Sequence, residues 1–61
     1  MSWVNFTKVL TALLGVTLAD AAKLADIAWA AVGAARDEHL EGPKVYRAAQ
    51  VAKLAYQYKQ A

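Results

Sequence analysis

The 61-residue sequence contains no cysteine and a single histidine, and these two shortages limit its chemistry. Without cysteine the chain forms no disulfide, and no redox compartment is indicated. One histidine without cysteine partners disfavours a zinc site. His39 is the one side chain suited to acid–base catalysis near neutral pH, but a general base needs a pocket and a positioned partner. So short a chain leaves little room for either, so we expect a protein that is not an enzyme, with no catalytic residue, metal, cofactor or small-molecule substrate.

The sequence also lacks an apolar run long enough to cross a bilayer. The uncharged stretches 9–19 and 27–35 are both shorter than the about 20 residues that a spanning helix needs. Asp20, Lys23 and Asp26 interrupt the region between them, where charges in a membrane are costly. No basic segment precedes the first apolar residues, so we expect neither a signal peptide nor a transmembrane span. Localisation stays open, and the chain is expected either in a particle or at a membrane surface.

Alanine is what the sequence has in abundance, with fifteen copies, and it has the highest helix propensity of any residue. The strongest helical pattern covers residues 17–36, where apolar side chains recur at spacings of three and four along one face. Thr17 is suited to the N-cap, with Asp20 at the third helical position. Ser2 has the same role before a second amphipathic segment that starts at Trp3.

Glycine and proline predict where the helices break. Gly15 either ends the first helix or lies inside one helix that runs from residue 2 to residue 37, and we favour the break. Gly42-Pro43 marks the start of the last helix. The sequence therefore predicts a single all-α domain over residues 1–61. It is a small helical hairpin or three-helix unit, with helices at about 3–14, 17–37 and 43–59.

Small size and small side chains together predict that the domain is stabilised by association. A chain of this length buries a modest fraction of its surface, and each buried alanine removes little apolar area from water. The balance between burial and chain entropy is then close to zero for one isolated copy. We expect a homo-oligomer or a larger protein assembly, and we expect that the isolated chain is not a stable monomer at micromolar concentration.

The charges are unevenly distributed along the chain. Residues 1–41 carry three basic and five acidic side chains, whereas residues 42–61 carry four basic and none that is acidic. The basic last helix meets anionic lipid, nucleic acid, or only the acidic segment at residues 37–41, and we favour the last of these. Nucleic acid is disfavoured as a partner, because Tyr56 lies on the apolar face of this helix and is not available for stacking.

The predicted partner contacts are large or apolar-face side chains on the three helices. They comprise Trp3, Phe6, Trp29, Val32, Val45, Ala52 and Tyr56. The three largest could instead anchor at a membrane interface, but core or assembly contacts are favoured. Alanines four residues apart on both longer helices also favour close helix packing.

The opening segment MSWVNFTKVL resembles the start of leaderless bacteriocins of the aureocin type. The matching residues are Met1, Ser2, Trp3, Asn5, Phe6 and Lys8. The resemblance covers about ten residues and implies a short, helical, membrane-active peptide that is exported without a signal. That family is rich in lysine, whereas this chain has five acidic residues and a net charge of +2.

Two functions follow as expectations. The first is a small structural or interaction protein, a minor helical subunit of a larger assembly such as a virion or another multi-subunit particle. The alternative is a membrane-active peptide similar to the leaderless bacteriocins.

Overall fold

The computed structural model describes residues 1–60, which form three helices and no strand. The helices are α1 (Trp3–Leu14), α2 (Leu18–Ala31) and α3 (Gly42–Gln60). α2 packs against both of the others, whereas α1 and α3 contact each other along one short edge. The molecule measures 29 × 17 × 16 Å. The predicted all-α fold is confirmed, and of the two predicted arrangements it is the three-helix unit.

The two predicted N-caps begin the first two helices. The Ser2 hydroxyl accepts a hydrogen bond from the Asn5 backbone N–H at 3.2 Å, and the Thr17 hydroxyl accepts one from Asp20 N–H at 3.2 Å. Each bond satisfies a backbone donor that has no partner inside its helix. These local signals explain why α1 begins at the predicted residue and α2 begins one residue after its cap.

Gly15 separates α1 from α2. Its φ of 65° lies in the left-handed region, and its N–H donates to the Thr11 carbonyl at 3.1 Å. Glycine adopts this conformation without the steric cost that other residues incur. The prediction of two helices, rather than one from residue 2 to residue 37, is therefore confirmed.

α2 ends at Ala31, and its predicted extension to residue 37 is wrong. Gly33 has a φ of 75°, its N–H donates to the Ala30 carbonyl at 3.1 Å, and Ala34 N–H donates to the Trp29 carbonyl at 3.0 Å. These two bonds form a Schellman motif, which closes a helix at a left-handed glycine. High alanine content continues past this point, so helix propensity alone overestimates the length of α2.

The core lies between the three helices and the loop of residues 32–41. Trp29 is at its centre, 1% exposed, with its ring centroid 4.9 Å from that of Phe6. The Trp29 indole N–H donates to the Glu38 carbonyl at 3.3 Å. Five of the eleven buried hydrophobic residues are alanines. The buried hydrophobic residues are Trp3, Phe6, Leu10, Ala21, Leu24, Ala25, Ala28, Trp29, Leu40, Ala48 and Ala52.

The start of the chain holds the 32–41 loop against the core. Leu40 N–H donates to the Met1 carbonyl at 3.0 Å, and the Met1 amino group donates to the Leu40 carbonyl at 2.6 Å. The Arg36 guanidinium carbon lies 3.5 Å from the centroid of the Trp3 ring, which is a cation–π contact. The loop is thus fixed by hydrogen bonds and by an aromatic contact, and Leu40 is 1% exposed although it lies outside any helix.

Candidate interaction surface

The predicted partner contacts divide into two groups in the structure. Four are buried within this chain's own core: Trp3, Phe6, Trp29 and Ala52. Three are half-buried against that core, namely Val32, Val45 and Tyr56. The four buried residues form part of this chain's own core. The three half-buried residues retain some accessible surface, so their contact with a partner stays a prediction.

A shallow apolar groove lies between α1 and α3, which we call the α1–α3 groove. Its volume is about 580 Å³. α1 contributes Leu13, and α3 contributes Tyr46, Ala49, Gln50, Lys53, Leu54 and Gln57. Leu13 is 64% exposed, Tyr46 is 68% exposed and Leu54 is 59% exposed. The groove therefore presents three large apolar side chains to solvent on one surface.

On α1 the groove arises because the apolar stripe of the helix is wider than the face that the core covers. Phe6 and Leu10 point into the core and are each 1% exposed. Val9 and Leu13, one helical turn apart, lie at the edge of the stripe, and Val9 is 45% exposed. Since the sequence places Leu13 on the apolar face but cannot say how much of that face a neighbour covers, its exposure was not predicted.

On α3 the signal for the groove is Leu54, an aliphatic residue within the polar face. Arg47, Gln50, Lys53 and Gln57 form the polar face that the sequence indicates, and Leu54 belongs to the same sector by helical spacing. One exposed leucine is ordinary, but Leu54 lies beside Leu13 and Tyr46, and a contiguous apolar patch is the feature that marks a contact surface. Leu54 is not among the residues predicted from the sequence, although its place within a polar face departs from the helical pattern.

The α3 wall of the groove is firmly held. Ala48 and Ala52 have no exposed surface and seat α3 against the rest of the molecule. Across the outer surface of α3, the Gln50 side-chain amide donates to the Tyr46 hydroxyl at 3.3 Å. Tyr46 and Gln50 are four residues apart, a spacing at which helical side chains meet. The groove is thus built on regular helices rather than on a loop.

Both helices that form the groove carry charge of one sign. α1 and α3 contain five basic residues and no acidic one, whereas all five acidic residues lie on α2 or in the 32–41 loop. Lys59 pairs with Asp20 at 3.3 Å. Within residues 1–60 the other four bases of these two helices, Lys8, Lys44, Arg47 and Lys53, form no ion pair. Of these bases Lys53 lines the groove, so the charge within the groove is positive.

The acidic segment at residues 37–41 does not neutralise α3 in this structure. Among residues 1–60 there are two ion pairs, Lys59 with Asp20 and Arg36 with Asp26, the latter at 4.0 Å. Neither ion pair joins α3 to the acidic segment at residues 37–41, which is the contact that the sequence analysis favours for the basic last helix. The basic residues at the start of α3 consequently remain accessible to a partner.

The remaining sequence candidates show no further site among the described residues. His39 is exposed, and its Nε2 lies 2.8 Å from the Met1 amino nitrogen. Residues 1–60 contain no cluster of three or more histidine or acidic side chains that could hold a metal ion. None of the three helices combines the length and the apolar character that crossing a membrane requires.

Neither a protein-family model, nor a curated protein, nor a solved structure matches this chain. Its function is therefore inferred from the groove and from the charges around it.

Proposed function

We propose that this chain is a small helical interaction protein, a minor subunit that joins a larger protein assembly through the α1–α3 groove. The observation that carries this proposal is the groove itself. Leu13, Tyr46 and Leu54 are each more than half exposed, and they line one recess with polar residues around it. Contiguous apolar surface with a polar rim is typical of sites that bind another macromolecule.

The shape of the groove suits a helical segment of the partner. Tyr46, Gln50 and Leu54 follow one another at intervals of four residues, so they form a ridge along α3. Leu13 faces this ridge from α1. An amphipathic helix that lies between the two walls would insert its apolar side chains at helical spacing, as in other helix-in-groove complexes.

A second copy of the chain suits this groove less well than a different protein does. In a twofold dimer the same patch meets itself, so each copy would bring Lys53 into the interface and the two like charges would be held in one contact region. Neither α1 nor α3 carries an acidic residue that could offset the repulsion. We therefore propose that the groove binds a chain other than this one, and a homo-oligomer would have to use another surface.

Membrane activity, the alternative function, is supported less well by this fold. Trp3, Phe6 and Trp29 would be its aromatic anchors, and they are 8%, 1% and 1% exposed. They could reach a bilayer only if the core opened. The exposed groove needs no such rearrangement before it meets a protein partner.

The proposal is tested by selecting peptides from an unbiased display library with three forms of the protein as bait. These are the unchanged chain, the double variant Leu13→Glu/Leu54→Glu, and the control Ile27→Glu. Ile27 is 51% exposed on α2 and does not line the groove. Ile27→Glu therefore makes the same kind of change as the double variant, an exposed aliphatic residue to glutamate, but outside the groove. Circular dichroism checks that all three remain helical.

We expect the unchanged chain and the Ile27→Glu control to enrich the same peptides, and we expect the double variant to enrich none of them. Binding that survives in the double variant, or a selection that enriches no peptide, would show that the groove is not an interaction site.

A further inference from the structure

We infer that the segment bound in the α1–α3 groove is an acidic amphipathic helix, with an apolar stripe flanked by Asp or Glu. This inference rests on the proposed function, because the groove must first be a binding site. It adds the chemical class of the partner.

The charge of the groove walls supports this choice. Lys53 lines the groove, and Arg47 is exposed three residues before Gln50, which also lines it. Neither base has an ion-pair partner within residues 1–60, and neither helix of the groove carries an acidic side chain. A partner in the groove thus meets Lys53, with Arg47 close by on α3, and no carboxylate from either helix. Complementary charge would accelerate its association and disfavour basic competitors.

The apolar lining of the groove favours an acidic protein over other anionic partners. Leu13 and Leu54 present aliphatic surface inside the recess, and burying that surface requires apolar side chains from the occupant. A nucleic acid backbone offers charge without such side chains. A flat anionic bilayer offers both, but it does not enter a recess between two helices. An acidic helix brings the apolar stripe and the negative flanks together.

The groove also sets the length of the occupant. From Tyr46 to Gln57 the lining residues of α3 span eleven helical steps, which is about 17 Å at 1.5 Å per residue. A partner helix of about three turns covers this distance. Its apolar residues at spacings of three and four would meet Leu13 and Leu54, while its flanks would lie beside Lys53.

The experiment uses a library of helical peptides about four turns long in which the apolar stripe is varied and each flanking position is Glu, Lys or Gln. The full chain is the bait, and the Leu13→Glu/Leu54→Glu variant is used for counter-selection. The best peptide is then synthesised with its flanks as Glu, as Gln and as Lys, and binding is measured by fluorescence anisotropy at low and high salt.

We expect Glu at the flanks of the enriched peptides and an affinity for the Glu form about tenfold above that for the Lys form at low salt, with the gap narrowing as salt screens the charges. Lys53→Glu should weaken binding of the Glu peptide by about tenfold. Lys23→Glu is the matched control, because Lys23 is exposed on α2 outside the groove, and it should change the affinity little.

The outcomes separate this inference from the proposed function. If groove-dependent peptides carry neutral or basic flanks, the groove is an interaction site but its partner is not acidic. An absence of groove-dependent peptides would overturn both proposals. Tighter binding to phosphatidylglycerol vesicles or to an oligo(dT) strand than to the Glu peptide, if lost in Leu13→Glu/Leu54→Glu, would replace the acidic helix with lipid or nucleic acid.

Discussion

Two leucines in this chain have opposite surroundings. Leu40 is 1% exposed in a loop, whereas Leu54 is 59% exposed on a helix. Leu40→Ala should lower the free energy of unfolding by about 2–5 kcal/mol, because it removes buried methyl groups and leaves a cavity. Leu54→Ala should change it by less than about 0.5 kcal/mol, because its side chain is already hydrated. Urea denaturation followed by circular dichroism gives both values, and equal effects would mean that the 32–41 loop is not docked in solution.

Trp29 combines a packing role with a polar one. Trp29→Ala should cost about 3–5 kcal/mol, because it removes a buried ring that contacts Phe6. Trp29→Phe keeps most of the ring but loses the hydrogen bond to the Glu38 carbonyl, so a smaller cost is expected. Tyr58→Ala, at a residue 86% exposed, is the neutral control. Thermal melts rank the three, and a Trp29→Ala protein as stable as the control would contradict the assigned core.

The sequence predicts the role of some residues better than that of others. Trp29 belongs to a helical apolar pattern, so its importance was predictable. Leu40 lies in a segment without periodicity, and its burial depends on backbone bonds to Met1 that no local pattern reveals. The exposure of Leu13 depends on how closely α3 approaches α1, which is a tertiary property. Burial is therefore predictable where it follows from the apolar pattern of the residue's own helix. Burial or exposure that depends on the position of another element is not.

At the scale of the elements, the end of α2 depends on one backbone conformation. Gly33 has a φ of 75°, and a Cβ added there would meet nothing within 4 Å, so any cost of substitution comes from the backbone. Gly33→Ala should destabilise the protein by about 1–2 kcal/mol, the usual penalty of a left-handed conformation for an L-residue. Gly33→Asn should cost less, because asparagine tolerates this region better. Chemical denaturation orders the two, and equal stabilities of Gly33→Ala and the unchanged chain would contradict the Schellman closure.

Helix ends are predictable from the sequence where a side chain caps the helix. They are less predictable where a backbone conformation ends it. The Ser2 and Thr17 hydroxyls accept the N-cap hydrogen bonds of α1 and α2. These two residue types therefore predict where α1 and α2 begin. Gly33 gave no comparable signal, since alanines on both sides of it continue the helical composition. A glycine within an alanine-rich segment can be tolerated inside a helix or can end it, and here the left-handed conformation of Gly33 ends it.

At the scale of the whole molecule, the surface area indicates a compact fold, whereas the core composition indicates low stability. The accessible surface is 3984 Å², close to the about 3,900 Å² expected for a compact 6.6 kDa monomer. The fold is therefore as closed as that of other small proteins. However, nearly half of its buried hydrophobic residues are alanines, which contribute little apolar area. A closed fold with a weak core should have low stability when isolated.

We accordingly keep the prediction that the isolated chain is not a stable monomer at micromolar concentration. We expect sedimentation equilibrium to show association or partial unfolding, with a melting temperature at or below the about 45 °C that is the low end for mesophilic domains. A ligand peptide selected for the groove should raise that temperature, because it binds the folded state alone. A monomer that melts cooperatively well above this range, independently of its concentration, would contradict the prediction.

The segregation of charge by helix has a consequence for chromatography. A cation-exchange resin contacts one side of a molecule at a time. α1 and α3 carry five bases and no acid, and Lys59 is the one of these bases that is paired within residues 1–60. The surface of these two helices should therefore present more positive charge to the resin than the net +2 of the chain. Lys53→Gln and Lys23→Gln each lower the net charge by one unit. The first should shorten retention more than the second, because Lys23 shares α2 with Asp20 and Asp26. Elution volume would then report which side of the protein adsorbs, and equal shifts would mean that the protein adsorbs without a preferred orientation.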